Sequence, residues 1–251
     1  MHNYVWDSTL KSKRYFSQTA KVKSTLHVIR GIAARWRVTV QVADWVRSWS
    51  VHNPSFQRWF WTDSAARTLL LLDASSSSSR LFPASLARLY DSYPLPINRA
   101  DVRKYLALYA AGGLVADLDV ECLRPLAPLL ARLRHCAGCV LSQEPPLHRL
   151  ALHAAAPPVY LSTALMACAP RHPFIAHLLR LLPRFADNSR RLAWNENVLN
   201  STGPTFLSHA LDAYNRSLIR DHVGDGDGGE CGADRRDRDA VLVAPWHWFS
   251  P

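Results

Sequence analysis

The sequence predicts a layered α/β fold in a single domain. Helical stretches alternate along it with short apolar runs, the arrangement that stacks helices on a sheet. With 251 residues the chain can bury a substantial core, and 48% apolar content with nine tryptophans argues for a globular protein. No stretch approaches the roughly eighteen consecutive apolar residues that a membrane span needs.

The chain opens polar and basic, with Lys11, Lys13, Arg14, Lys21 and Lys23 and without the apolar core of a signal peptide. Residues 1–40 follow no recognisable pattern and are expected to be poorly ordered, so the domain is placed at residues 41–251. The serine tract Ser75–Ser79 reads as a flexible insertion, within a loop at 74–80. A second loop is expected at 224–239, rich in Gly, Asp and Arg. Its Asp225-Gly-Asp227-Gly run lacks the spaced ligands and closing Glu of a calcium loop.

Between those loops lies the most informative segment, Asn98 to Pro125. Arg99 to Ala111 reads as an amphipathic helix, with Val102, Tyr105, Leu106, Leu108 and Tyr109 near three-to-four spacing. Gly112 and Gly113 end it, because glycine accepts the left-handed geometry of a helix C-cap. Leu114 to Ala116 follows as a short buried strand and delivers Asp117 and Asp119 at its end. In an extended chain, residues two apart point to the same side. Two hard oxygen donors so placed suit a divalent cation, which can neutralise a diphosphate.

A net charge of +10 and a pI near 9.7 suit phosphate-bearing ligands or an anionic membrane surface. Nucleic-acid binding is disfavoured, since the basic residues are dispersed and no zinc-finger, RNP or basic heptad pattern is present. Five cysteines, Cys122, Cys136, Cys139, Cys168 and Cys231, form no disulfide framework in a chain this long, and the Cys136–Cys139 spacing reads as incidental. His135 beside it does not complete a zinc set. Asn200-Ser-Thr and Asn215-Arg-Ser are glycosylation triplets that matter only in a lumenal protein.

The Asn98–Pro125 segment resembles the signature of the glycosyltransferase family 32 sugar transferases. Arg99-Ala100-Asp101, Tyr105, Leu108-Tyr109, Gly112-Gly113 and Asp117-Leu118-Asp119 match it in order and spacing. Trp45–Asp63 is similar to the family's early helix, Asn-Pro turn and strand. Tyr90–Ile97, Val140–Pro145, Ala164–Phe174, Trp194–Pro204 and Val241–Pro251 resemble further family blocks. The sequence departs from the pattern in four places. Lys104 stands for an arginine and Val115 for a tyrosine, Leu26–Trp36 replaces the opening strand block, and the chain ends at Pro251, short of a terminal histidine and tryptophan segment.

The resemblance implies a GT-A type, Rossmann-like fold and a metal-dependent retaining glycosyltransferase. Those relatives that look closest transfer mannose from GDP-mannose to inositol-phosphoceramide or to N-glycans; others use UDP-sugars. It implies Asp117 and Asp119 as ligands of Mn2+ or Mg2+, with Asp119 the more direct and Asp117 also on the donor. It also implies Asp101 on the hydroxyls of the transferred sugar, with Arg99 and Lys104 flanking the donor. Glu144, Asn195 and Glu196 are weaker candidates for acceptor or sugar contacts, and Thr202-Gly203-Pro204 is read as a turn near the site. Partners implied are a nucleotide sugar, a glycolipid or glycan acceptor and a membrane-anchored subunit, with no nucleic acid. The family implies the Golgi, whereas the absence of a signal or membrane span in this sequence leaves the cytoplasm open. An inactive relative acting as a binding subunit is the alternative. A phosphohydrolase using the Asp pair would need further metal-ligand clusters, and the sequence has none.

Overall fold

Short strands buried on both faces, such as Leu114-Val115-Ala116, call for a sheet with a helical layer on each side, and the computed structural model has that form. It describes residues 4–5, 25–29, 40–75, 81–133, 137–147, 159–221 and 239–246. Of the loops expected at 74–80 and 224–239, residues 76–80 and 224–238 lie outside the described residues, as do Cys136, Cys231 and His247, whereas Ala74 and Ser75 belong to the end of the helix Asp63–Ser75.

The strands are β1 (Tyr4–Val5), β2 (Thr25–Ile29), β3 (Gln57–Trp61), β4 (Gly113–Asp117), β5 (Cys139–Gln143), β6 (Leu161–Cys168) and β7 (Val241–Ala244). The helices are α1 (Val40–His52), α2 (Asp63–Ser75), α3 (Leu86–Ser92), α4 (Pro96–Ala111), α5 (Ala127–Leu133), α6 (Pro173–Ser189), α7 (Trp194–Ser201) and α8 (Pro204–Asp221). One sheet runs in the order β1-β3-β2-β4-β6-β5-β7. Strands β1 to β4 pair in parallel, β6 is antiparallel to β4 and β5, and β7 is parallel to β5.

Strand β2 was not legible in the sequence. Thr25–Ile29 sits between β3 and β4, with Leu26 opposite Leu114 and Ile29 opposite Asp117. Its segment therefore occupies the centre of the parallel half, beside the strand that carries the Asp pair.

The pleat of β4 divides two cores. Val115 joins Leu141, Met166, Tyr105, Leu106, Phe174 and Phe206 on the face covered by α2, α3, α4, α6 and α8. Leu114 and Ala116 join Trp49 of α1 and Leu130 of α5 on the other.

Helix α4 begins three residues before the expected start, with Pro96 at its first turn. It is buried on nearly every side, Asp101, Arg103 and Lys104 included, rather than amphipathic. Its charges tolerate burial because each is paired inward, as described below. Gly112 ends it as expected, with φ +63° and its N–H donating to the Leu108 carbonyl at 2.9 Å. A Cβ at Gly112 would lie 2.5 Å from the Pro170 ring, so both the dihedral and the space demand glycine.

Cys139 and Cys168 form a disulfide, contrary to the expectation of none. They face each other across β5 and β6, 29 residues apart in sequence, so no local spacing betrays the pair. Cys122 is free and buried.

Candidate active site

Helix α4 and strand β4 meet at Gly112-Gly113, so the helix lies back along the strand and aims two charged side chains at the strand's end. Asp101 and Lys104, one helical turn apart, share a face of α4. The Lys104 ammonium donates to Asp101 Oδ1 at 3.1 Å and to Asp117 Oδ2 at 2.9 Å. Its side chain is 4% exposed, against 28% for Asp117, so the ammonium lies beneath the carboxylate that reaches outward. The structure thus joins three of the residues singled out by sequence into one Asp-Lys-Asp chain.

Burial alone would lower the Lys104 pKa, but the neighbouring carboxylates of Asp117 and Asp101 outweigh it and hold the ammonium protonated. Burial raises Asp117 to about 6, with Lys104 pulling it down and Asp101 and Asp119 pushing it further up. Asp101 is raised by burial too, against the opposing pull of Lys104 and of hydrogen bonds from Thr202 and Thr163.

A second network locks Asp101 from the far side. Thr202, fully buried between α7 and α8, donates its hydroxyl to Asp101 Oδ2 at 3.1 Å. Asn98 Nδ2 donates to Ser201 Oγ at 2.8 Å and to Thr202 Oγ1 at 3.2 Å. The Tyr105 hydroxyl donates to the Thr202 carbonyl at 2.5 Å. Sequence reasoning saw only a turn in Thr202-Gly203-Pro204; the polar pair Asn98 and Thr202 lie too far apart in the chain to signal each other. The turn is real, since Gly203 N–H donates to the Val198 carbonyl at 2.9 Å.

Arg99 and Arg103 converge on Asp63, at the start of α2. Arg99 reaches Asp63 Oδ2 at 3.4 Å and the Tyr93 carbonyl at 2.8 Å, while Tyr90 donates to Asp63 Oδ1 at 2.8 Å. Arg99 therefore ties α4 to α2 and is not part of the Asp101–Lys104–Asp117 chain. The Asp63 cluster had no sequence signal of its own.

Asp119 is exposed on the turn after β4, closed by Val120 N–H on the Asp117 carbonyl at 3.2 Å. Glu144 follows β5, its N–H on the Tyr160 carbonyl at 2.9 Å. Asn195 and Glu196 are exposed at the first turn of α7, the end opposite Thr202.

The donor set of Asp117 and Asp119 is all hard oxygen, which fits a divalent ion such as Mg2+ or Mn2+. Lys104 takes Asp117 Oδ2, and the Asp119 carboxylate faces solvent. No group of three or more His, Cys, Asp or Glu side chains suited to a metal exists among the described residues. Two carboxylates fit an ion that draws its remaining ligands from phosphate oxygens and water.

A family model described as "glycosyltransferase sugar-binding region containing DXD motif" matches residues 39–135, the stretch that runs from α1 through α5. The chain belongs to the DXD-containing glycosyltransferases. It is 32% identical over 213 residues to inositol phosphoceramide mannosyltransferase 3 of Schizosaccharomyces pombe, covering 84% of this chain and 50% of the relative. It is 30% identical over 167 residues to the mannosyl phosphorylinositol ceramide synthase SUR1 of Saccharomyces cerevisiae, covering 66% of this chain and 36% of the relative. The initiation-specific alpha-1,6-mannosyltransferase of S. pombe is 27% identical over 184 residues, covering 69% of this chain and 45% of that protein. The chain thus spans half or less of the length of these relatives. Among solved structures, the PaToxG glycosyltransferase superposes with a TM-score of 0.51 at 14% identity, over 79% of this chain and 75% of that one. That likeness establishes the GT-A-like mixed α/β fold of this DXD glycosyltransferase.

Proposed function

We propose that this chain is the catalytic part of a metal-dependent, retaining mannosyltransferase that uses GDP-mannose. Its acceptor is a glycolipid of the inositol-phosphoceramide kind, and the enzyme works at the Golgi membrane, with UDP-sugars the competing donors. The observation that carries the reading is Asp117, with Asp119 two residues on, at the carboxyl end of a parallel strand and braced from below by Lys104. Ligands of open α/β sheets bind at that end. The names of the relatives support mannose as the sugar and inositol phosphoceramide as the acceptor.

The chemistry asks the protein mainly for position and charge. Asp119 and Asp117 hold the divalent ion, which when bound supplies electrophilic stabilisation to the departing diphosphate. Lys104 fixes the rotamer of Asp117 and keeps one of its oxygens occupied, so the other faces outward. Asp101 presents its carboxylate to the sugar hydroxyls, held at Oδ1 by Lys104 and at Oδ2 by Thr202. With both oxygens so engaged, Asp101 serves as a fixed acceptor of hydrogen bonds and not as a free nucleophile. Retention then proceeds on the front face, with the leaving phosphate taking the acceptor's proton.

Transfer of labelled mannose from GDP-mannose to inositol phosphoceramide, with manganese, magnesium or a chelator present, tests the reading. Metal-dependent product formation supports it. Donor binding without turnover on any acceptor would instead establish the binding-subunit alternative.

A further inference from the structure

Helix α6 is strongly two-faced. Phe174, Ile175, Leu178, Leu179, Leu182 and Ala186 point into the core. Arg180 and Arg184, four residues apart, are exposed on the outer face together with Asp187 and Asn188. The chain then leaves the helix through a run in which every residue from Arg190 to Glu196 is exposed.

That run is ordered, not loose. Leu192 N–H donates to the Ser189 carbonyl at 3.1 Å and Asn197 N–H to the Ala193 carbonyl at 2.7 Å. The buried Asn197 side chain donates to the Ser189 carbonyl at 2.7 Å and clamps the two helix ends together. On this fixed turn Trp194 stands 58% exposed and Leu192 40%. A tryptophan and a leucine held outward by a hydrogen-bonded backbone have no place in the protein's own core.

Their neighbours identify the occupant. Arg180, Arg184, Arg190 and Arg191 are all exposed along the outer side of the helix and the turn that follows it, against Asp187, which pairs with Arg190 at 3.1 Å, and Glu196. Excess arginine beside an outward tryptophan is the composition of a surface that lies in the headgroup layer of a negatively charged bilayer. A small soluble anion would match the arginines but leave Trp194 and Leu192 uncovered.

We propose that the Arg190–Trp194 turn, with Arg180 and Arg184 behind it, docks the protein on an anionic lipid bilayer. The proposal rests on the glycolipid-acceptor reading for its purpose. Helix α7 starts at Trp194 and ends at Ser201, a rise of about 11 Å. Ser201 and Thr202 hold Asn98, and Thr202 holds Asp101. One short helix therefore connects the membrane contact to the Thr202–Asp101 hydrogen-bond network beside the candidate sugar site.

The test is flotation of the full chain with phosphatidylcholine vesicles, with and without phosphatidylinositol. The expected result is binding to the phosphatidylinositol vesicles only. The double variant Arg190→Gln/Arg191→Gln should weaken it about 25-fold, about fivefold for each arginine. Trp194→Ser should weaken it further, and quenching by brominated lipid should fall in Trp194→Phe relative to the parent. All three positions are exposed, so loss of fold does not enter. Equal vesicle binding by parent and variants, or no binding to anionic vesicles at all, overturns the proposal, the former assigning membrane contact to another basic segment. Either failure accompanied by sugar transfer to a soluble inositol-phosphate acceptor leaves the transferase reading intact.

Discussion

Thr202 holds Asp101 Oδ2 at 3.1 Å across 101 residues of chain, and in doing so couples the α7–α8 junction to the charged face of α4. Asp101 is only 4% exposed, so the hydrogen bonds to its carboxylate from Lys104 and Thr202 stand in for most of the water it would otherwise hold. Thr202→Val keeps the shape and removes the donor, at a cost of roughly 1.5–3 kcal/mol. If Thr202 positions Asp101 for the sugar, the variant should lower kcat more than it raises KM, and Thr202→Ser should restore both. Equal loss of stability without that kinetic split would confine Thr202 to the fold.

The charge of Lys104 is committed to two carboxylates, Asp101 and Asp117, and its removal strands both. Lys104→Ala should therefore destabilise the protein by about 3–5 kcal/mol, the usual cost of breaking a buried pair from one side. Removing Asp101 as well should recover part of that loss, which urea melts of the single and double variants measure. Lys104→Arg keeps the charge and should preserve donor affinity, although the planar guanidinium bridges carboxylates differently from an ammonium.

Asp119 is exposed and makes no demand on the core. Asp119→Ala should leave the unfolding free energy within about 0.5 kcal/mol of the parent. Calorimetry with GDP-mannose should nevertheless lose its dependence on manganese. A variant with unchanged manganese-dependent affinity would remove Asp119 from the metal site.

His177 supplies a pH dependence with a definite sign. Burial lowers its pKa below the ordinary histidine value, and Arg180 lowers it further, while the Tyr214 ring packs 5.7 Å away. Between the lowered folded pKa and about 6.5, the unfolded chain binds the extra proton and the folded one does not. Stability from this group is therefore full above about pH 6.5 and lost on acidification through that window. His177→Phe should flatten the pH dependence of Tm there, and an unchanged slope would assign it to other groups.

What the sequence disclosed was local and periodic. The α4 helix, its glycine stop, the β4 strand and the placing of Asp117 and Asp119 all lie within one contiguous stretch, where spacing and glycine chemistry act directly. What it hid was long-range. Thr202, Asn98 and Asp63 acquire their roles only when elements 36 to 104 residues apart pack together. Strand β2 carries no turn signal that marks it, and its place is set by pairing with β3 and β4. The burial of Asp101, Arg103 and Lys104 ran against the amphipathic pattern because ion pairing, not hydropathy, decides where those side chains go.

The disulfide between Cys139 and Cys168 gives the last prediction. It joins the two strands that carry the antiparallel half of the sheet, closing a loop with a sequence separation of 29. A crosslink of that span reduces the freedom of the unfolded chain by an amount worth about 3–4 kcal/mol. Both cysteines are fully buried, so dithiothreitol should act on the native protein slowly, through unfolding. Urea melts after reduction under denaturing conditions should show a midpoint well below that of the oxidised protein, and Cys139→Ala/Cys168→Ala should match the reduced form. A bond of this kind persists in oxidising compartments such as the secretory lumen. If oxidised and reduced protein melted alike, the pair would be two packed thiols.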